Sequence, residues 1–502
     1  MADAVEHKSK DWFRKFGFFC LGCFLILLVF ALFLLFYYLI IRVFTGGKLQ
    51  NFRPVYSDET GYFTEINTAV KRGLFNANSG YSGFYNGDFL VAKFLNYAAH
   101  GIFVLLPYYL IGNIFGWTYF SPIIANCIIM TVSFLIFFFI TKNIKKTLIC
   151  MAFTLTFLPL LLYFGTMMVE VTFFAFSVIL AALYYNYKKN PSRKNEIIYI
   201  VVAAVSCLMR ITNLVFFIPI IINKTKSTKS FLINSSVFAG ISVSIFIISS
   251  LFTASYPDWL TYRLKEYLKA GQIVMAAKNF ASHFAQSLIS FVHPFRESPI
   301  LVIMRYFMSA ICLVFLFEAF FAFDFKKMKC KKRDEINKTY LSLSLVIMAV
   351  ILLTCLFYDM FDWRDFRVFA PILLFVCIGA LLRYRKAVLS ATLSIVISLI
   401  FLFQIGLMKD VSDHYNNKSP VLDIVSQIKY NPNCDRWGNT VLTNSLAVNY
   451  DPGINAVFFI SRWVDSIEVK AKYLLLDCST ETEGYTLVDE EDGYYLYIAD
   501  LP

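Results

Sequence analysis

Gly17 to Phe44 reads GFFCLGCFLILLVFALFLLFYYLIIRVF, an unbroken apolar run in which Arg42 is the only charge. As a helix it would rise about 42 Å, more than the roughly 30 Å of bilayer hydrocarbon. It is too long for a signal-peptide core and no small-residue cleavage site follows it, so it is expected to stay as a membrane anchor. The rest of the chain repeats the pattern. Of 502 residues 58% are hydrophobic and only 16% are charged, with 54 Phe. No soluble domain needs that much apolar surface, and the chain reads as a polytopic, all-α membrane protein. The net charge of +12 is therefore not a nucleic-acid footprint. Its Lys and Arg gather in short loops between apolar runs, as they do on the inner side of membranes.

Directly after the anchor comes Pro54-Val55-Tyr56-Ser57-Asp58-Glu59-Thr60-Gly61-Tyr62-Phe63-Thr64-Glu65-Ile66-Asn67-Thr68-Ala69-Val70-Lys71-Arg72-Gly73. Ser57 suits an N-cap, Asp58 and Glu59 the first turn, Lys71 and Arg72 the last, and Gly73 a C-terminal stop. Tyr62, Ile66, Ala69 and Val70 recur at helical spacing, which gives the helix one apolar side. On this local pattern the two carboxylates need do no more than complement the helix dipole. Their position just past the anchor places them on the outer face.

Five basic loops fix the remaining topology: Lys142 to Lys146, Lys188 to Lys194, Lys224 to Lys229, Lys326 to Arg333, and Arg383 to Lys386. With the basic N-terminal stretch Met1 to Phe16, all are expected inside. Parity then governs two ambiguous segments. Phe94 to Phe115, with Asn96, His100, Pro107 and Asn113, is expected as an interfacial or re-entrant helix in the first outer loop, 45–119. Ile197 to Ile222 must leave and return, because the loops on both sides of it are inside. The polar interruption at Arg210, Thr212 and Asn213 suits two short arms meeting at the outer surface. Further crossings are expected near Phe120–Ile140, Leu148–Tyr163, Met167–Tyr187, Phe231–Thr253, Ile300–Phe323, Tyr340–Tyr358, Val368–Leu382 and Ala387–Met408. The total is about eleven, with a second long outer loop over 254–299.

From Lys409 to Pro502 the chain is polar and is expected as a small α/β extracytoplasmic domain, separate from the transmembrane domain over 1–408. A short helix over Val421–Tyr430 and strands near 440–443, 456–460, 472–477, 486–488 and 494–498 are expected, with a hairpin turn at Glu490 to Gly493. Eleven Cys are present, most within apolar runs where they act as small hydrophobes. Only Cys434 and Cys478 lie in a polar region, and a disulfide between them is open but not required.

The outer face collects Asp58, Glu59, Glu170, Arg210, Arg364, Asp365, Arg367, His293, Arg296 and Glu297. Single charges at a membrane boundary are commonly just solvated. Glu170 stands apart, because it opens an otherwise apolar segment of span length. Carboxylates facing guanidinium groups suit one chemistry: a carboxylate takes the proton of an acceptor hydroxyl while Arg side chains hold a phosphate leaving group. A sugar carried on a polyprenyl phosphate would present that phosphate at this boundary. No Gly-rich phosphate loop for a nucleotide is visible.

These residues resemble the GT-C fold glycosyltransferases, among them the protein O-mannosyltransferases and lipid A aminoarabinose transferases. Phe52-Arg53-Pro54-Val55-Tyr56-Ser57-Asp58-Glu59 is similar to their acidic first-loop motif. Gly165 to Glu170 resembles their second acidic position. Met209-Arg210-Ile211-Thr212 looks like their basic residue between two short helices, and Arg364-Asp365-Phe366-Arg367 before Pro371 like their Arg-before-Pro entry to a late span. Asn86-Gly87-Asp88-Phe89 stands near the place of the family's His-Pro-Pro run. The resemblance implies catalytic roles for Asp58, Glu59 and Glu170, and donor-phosphate binding by Arg210, Arg364 and Arg367. Asp88, His293 and Arg296 are candidates for substrate contact. A divalent metal ion, if one is used, would sit on Asp58 and Glu170.

The expected activity is transfer of a sugar from a polyprenyl-phosphate donor to a glycan, lipid or protein acceptor on the outer side of a bacterial plasma membrane. Three rivals share the composition. A lipid-linked-sugar transporter or flippase would place charges near the midplane and show paired repeats. A polysaccharide polymerase or ligase would share the outer Arg residues. An assembly factor would leave Asp58 far from Glu170 and Arg210.

Overall fold

The computed structural model describes residues 2–49, 52, 54, 57–74, 80–85, 88–91, 101–252, 259–292, 323–324, 329–330, 334–357, 367–383, 415, 423–431, 433–434, 437–443, 454–458, 471–477, 479, 484–491 and 493–499, with only the backbone at Asp58 and Asp88. Among them, five segments are long and apolar enough to cross a membrane: Phe16–Val43, Ser121–Thr141, Glu170–Lys189, Thr228–Ser249 and Lys338–Leu356. The expected crossings at 300–323 and 387–408 lie outside the described residues.

Helix α1 (Ala2–Thr45) carries the anchor and runs on back through the basic N-terminal stretch. Helix α2 (Ser57–Arg72) has the expected bounds. It stops at Gly73, whose φ of 96° is left-handed and whose N–H closes on the Ala69 carbonyl at 2.7 Å. Strands β1 (Gly80–Tyr85) and β2 (Asp88–Val91) follow, then α3 (Gly101–Phe115). At fifteen residues α3 rises only about 22 Å. One side, with Tyr108 and Gly112, is buried, Gly112 lying against Val70 of α2.

Helix α4 (Ser121–Thr141) lies antiparallel to α1, with Phe19 stacked on Phe138 at one end and Phe30 beside Phe134 further along. The chain then climbs back through α5 (Ile144–Leu155) and α6 (Leu158–Phe164). The single crossing expected at Leu148–Tyr163 is thus two helices, broken at Thr156 and Phe157 ahead of Pro159, a residue that cannot continue a helix from its N-terminal side without losing a hydrogen bond. Helix α7 (Glu170–Lys189) is the centre of the bundle, buried on nearly every side from Glu170 to Tyr184. That explains why its sequence shows no polar stripe.

Helix α8 (Arg193–Met209) ends where Arg210 turns extended, at φ −154° and ψ 125°. A 3₁₀ segment (Ile211–Phe217) and α9 (Ile218–Lys224) then lead back. The reversal is fixed by two bonds. Tyr199 Oη donates to the Phe216 carbonyl at 2.7 Å, and Lys224 Nζ meets Glu196 Oε1 at 2.5 Å. The 3₁₀ geometry rises faster than an α-helix, so the fourteen-residue return arm still covers about 24 Å, matching the about 25 Å of α8. The Arg210 hairpin expected from loop parity is therefore present.

Helix α10 (Thr228–Phe252) follows, then α11 (Trp259–Lys269) and α12 (Ile273–Val292) within the expected long outer loop. A two-residue strand pair, β3 (Phe323–Asp324) with β4 (Lys329–Cys330), precedes α13 (Asp334–Phe357) and α14 (Ala370–Arg383). Helices α7 and α14 run in the same direction. At one end Glu170 approaches Arg367, and at the other Lys146 Nζ donates to both Tyr185 Oη (2.9 Å) and the Leu382 carbonyl (2.8 Å). The fifteen residues from Glu170 to Tyr185 place these two ends about 22 Å apart. The described parts of the basic loops meet at the Lys146 end, where Lys188 also donates to Asn223 at 2.7 Å.

The C-terminal strands are β5 (Thr440–Thr443), β6 (Asn455–Phe458), β7 (Tyr473–Leu476), β8 (Tyr485–Glu491) and β9 (Tyr494–Ala499). They form one seven-stranded sheet in the order β2-β1-β6-β5-β7-β9-β8. Two expectations need correction. Among the described residues, the helix expected at Val421–Tyr430 is a 3₁₀ turn over Asp423–Gln427, with Ile424 and the following Ile428 buried against Val441 and Leu475. The sheet is also not built from the tail alone, since β1, between α2 and α3, pairs parallel with β6, Gly80 opposite Val457. Asn86-Gly87 links β1 to β2 with Tyr85 opposite Asp88, a two-residue hairpin signal that could have located both strands. Cys434 is a free thiol, and Cys478 lies outside the described residues.

The turn between α6 and α7 is held from three elements. Asn126 of α4 donates to the carbonyls of Phe164 and Thr166, both at 2.9 Å, and accepts from Tyr108 Oη at 2.8 Å. Asn126→Leu keeps the volume and removes all three bonds. At about 1–3 kcal/mol for each buried group left unsatisfied, the purified protein should lose several degrees in its thermal unfolding midpoint.

Candidate active site

The turn Gly165 to Val169 ends on Glu170, the first residue of α7, where a carboxylate is favoured by the helix dipole. Gly165 passes so close to Tyr37 that a Cβ would lie 2.7 Å from the ring, so only glycine permits this approach. Tyr37 Oη donates to the Leu161 carbonyl at 3.0 Å and Tyr415 Oη to the Gly165 carbonyl at 2.8 Å. Burial, and after it Tyr37 and Glu59, push the Tyr415 phenol well above its ordinary pKa. It therefore remains a proton donor at neutral pH.

Glu59 of α2 is fully buried, and its Oε1 accepts from the Met167 N–H at 2.8 Å. That amide lies three residues before Glu170. The acidic first-loop helix is fastened to the second acidic position through that bond. Spacing along the sequence carries no sign of this contact, because the two residues are 108 positions apart.

Glu170 and Arg210 form a buried ion pair, Oε1 to Nη2 at 3.2 Å, with side chains 1% and 4% exposed. Arg367 Nε stands 3.8 Å from the same carboxylate oxygen and is 28% exposed. The Arg210 guanidinium also lies 4.2 Å from the centre of the Phe173 ring, one turn along α7 from Glu170. Arg210 Nε and Nη1 and Glu170 Oε2 make no hydrogen bond among the described residues. Two guanidinium groups thus face the one Glu170 carboxylate, and Arg367 is the member open to the surroundings. Expected residues Arg364, His293 and Arg296 lie outside the described residues, as do the side chains of Asp58 and Asp88.

A metal role for Glu170 does not fit. A divalent cation there would face two guanidinium groups, and among the described residues no three His, Cys, Asp or Glu side chains gather to hold an ion. The residues present suit a phosphate better than a cation.

Taking one partner from a buried pair leaves an uncompensated charge at a cost of roughly 3–5 kcal/mol, whereas removing both can be nearly neutral. Glu170→Gln and Arg210→Met should each lower the thermal midpoint sharply, and the double variant should recover most of the loss. Additive losses in the unfolding scan would show that the two side chains do not depend on each other.

Comparison with known proteins places this geometry in context. No curated protein matches the chain. Among solved structures, ArnT from Cupriavidus metallidurans in the apo state is similar at a TM-score of 0.45 and 11% identity, over 94% of this chain and 97% of that one. A likeness at that level carries no argument by itself. The family model of the Alg9-like mannosyltransferases matches residues 97–446, well over half of the chain and including Glu170, Arg210 and Arg367. The chain belongs to the Alg9-like mannosyltransferase family and is a GT-C fold membrane glycosyltransferase that draws on a lipid-linked sugar donor.

Proposed function

We propose that the protein transfers a hexose, mannose by the family's name, from a polyprenyl phosphate to an acceptor hydroxyl on the outer face of the membrane. The observation that carries this reading is the Glu170–Arg210–Arg367 cluster, two guanidinium groups gathered on one carboxylate, at the end of the bundle opposite Lys146. The basic loops support an inner position for the Lys146 end. The cluster then lies at the outer boundary, where the phosphate of a lipid donor rests while its tail stays in hydrocarbon.

In the proposed reaction the acceptor oxygen bonds to the anomeric carbon as the carbon–oxygen bond to the lipid phosphate breaks. The bonding electrons leave with the phosphate, and the acceptor proton passes to a carboxylate, with Asp58 assigned as that base. Arg367 and Arg210 offset the charge that grows on the departing phosphate. Glu170 holds the two guanidinium groups in place, and Glu59 keeps α2, and so Asp58, registered on the Met167 turn. The acceptor is a glycan, lipid or protein hydroxyl.

Purified protein supplied with polyprenyl-phosphate mannose and an acceptor tests the assignment. Asp58→Asn should lower turnover by roughly 10²–10⁴-fold, the range expected for a lost general base, with normal expression and an unchanged unfolding midpoint. Arg367→Met should lower turnover and raise KM for the donor, while Arg367→Lys restores part of it. Full turnover by Asp58→Asn would remove Asp58 from the role of base.

A further inference from the structure

At the Lys146 end, remote from Glu170, a cleft of about 600 Å³ opens between the end of α7, the start of α8 and the end of α9. Its walls include Tyr187, Ser192, Arg193, Glu196, Ile197 and Lys224. Lys224 is engaged by Glu196, whereas Arg193 is exposed and has no ion-pair partner among the described residues. Two cations and one carboxylate give the cleft one net positive charge. The start of the seventeen-residue α8 adds the positive end of a helix dipole.

The cleft has an apolar continuation. Ile197 lines it, and Ile197, Val201 and Val205 are exposed one turn apart along the same face of α8. This stripe rises from the cleft toward Arg210 at the far end of the helix. A charged recess at a membrane boundary, joined directly to an apolar track along the spanning direction, matches the two parts of a phospholipid.

We propose that this cleft binds one anionic phospholipid, its headgroup phosphate at Arg193 and Lys224 and an acyl chain along Ile197, Val201 and Val205. Basic recesses between membrane helices are suited to anionic headgroups. A zwitterionic headgroup would bring its own cation against Arg193 and should be held less well. The site is independent of the sugar-transfer cluster, which lies at the other end of the bundle.

Native mass spectrometry of the full chain in detergent, titrated with phosphatidylglycerol or phosphatidylcholine, tests this. Arg193→Glu reverses a charge, and with about 1 kcal/mol per basic residue near a headgroup it should weaken phosphatidylglycerol binding roughly tenfold or more. The variant should fold, because an acidic residue suits the first turn of a helix. Lys145→Gln, at the same end but outside the cleft, should bind as the unaltered protein does. Val201→Ser should weaken lipid retention, and millimolar inorganic phosphate should not displace the lipid. Equal retention by Arg193→Glu and Lys145→Gln, equal affinity for phosphatidylcholine, or ready displacement by inorganic phosphate would each overturn the proposal.

Discussion

The buried pair between Glu170 and Arg210 is the constraint on which the candidate site depends. Neither charge could be left alone at that depth, since each would face hydrocarbon and ring carbons rather than water. Their mutual attraction requires the start of α7 and the apex of the α8–α9 hairpin to meet. Arg367, entering α14, joins the same carboxylate. Three segments widely separated in the chain are therefore brought to one point by a single negative charge.

The second constraint is the turn before α7. It carries no regular structure of its own, so its backbone polar groups must find partners elsewhere. Asn126, Tyr415 and Glu59 supply them from three different parts of the molecule. This links α2, α4 and residue 415 to the position of Glu170. At the opposite end Lys146 does similar work, satisfying a terminal carbonyl of α14 and holding it to α7. Between the two polar ends, about 22 Å apart along α7, lies a layer of Phe, Leu, Val and Ile with few charges.

Much of this was readable from residue order. The α2 helix had its cap, acidic first turn, basic last turn and glycine stop, all local signals, and it has the expected bounds. The Arg210 hairpin followed from the parity of basic loops around a segment with a polar interruption. Four of the five late strands lie within a residue or two of their expected places, whereas β8 runs three residues further than expected, so Glu490 and Glu491, read as turn residues, pair with Tyr495 and Tyr494 of β9. Less readable were the short pieces. The break between α5 and α6 had a local signal in Pro159, whereas the 3₁₀ return arm and the shrinking of the 421–430 helix depend on packing that overrides propensity. Strands β1 and β2 carried a local hairpin signal at Asn86-Gly87, but nothing near them in sequence showed that β1 would pair with β6.

By itself the sequence marked out the apolar segments of span length, the basic loops and the charges set among apolar residues, because hydropathy and charge act on each residue where it stands. Tertiary structure alone decided that Glu170, Arg210 and Arg367 share one point. It also decided that Glu59 bonds a backbone amide and that the β1–β2 hairpin joins the C-terminal sheet. These are contacts between residues tens to hundreds of positions apart. Their energies depend on distances of a few ångströms that packing sets and residue order does not record.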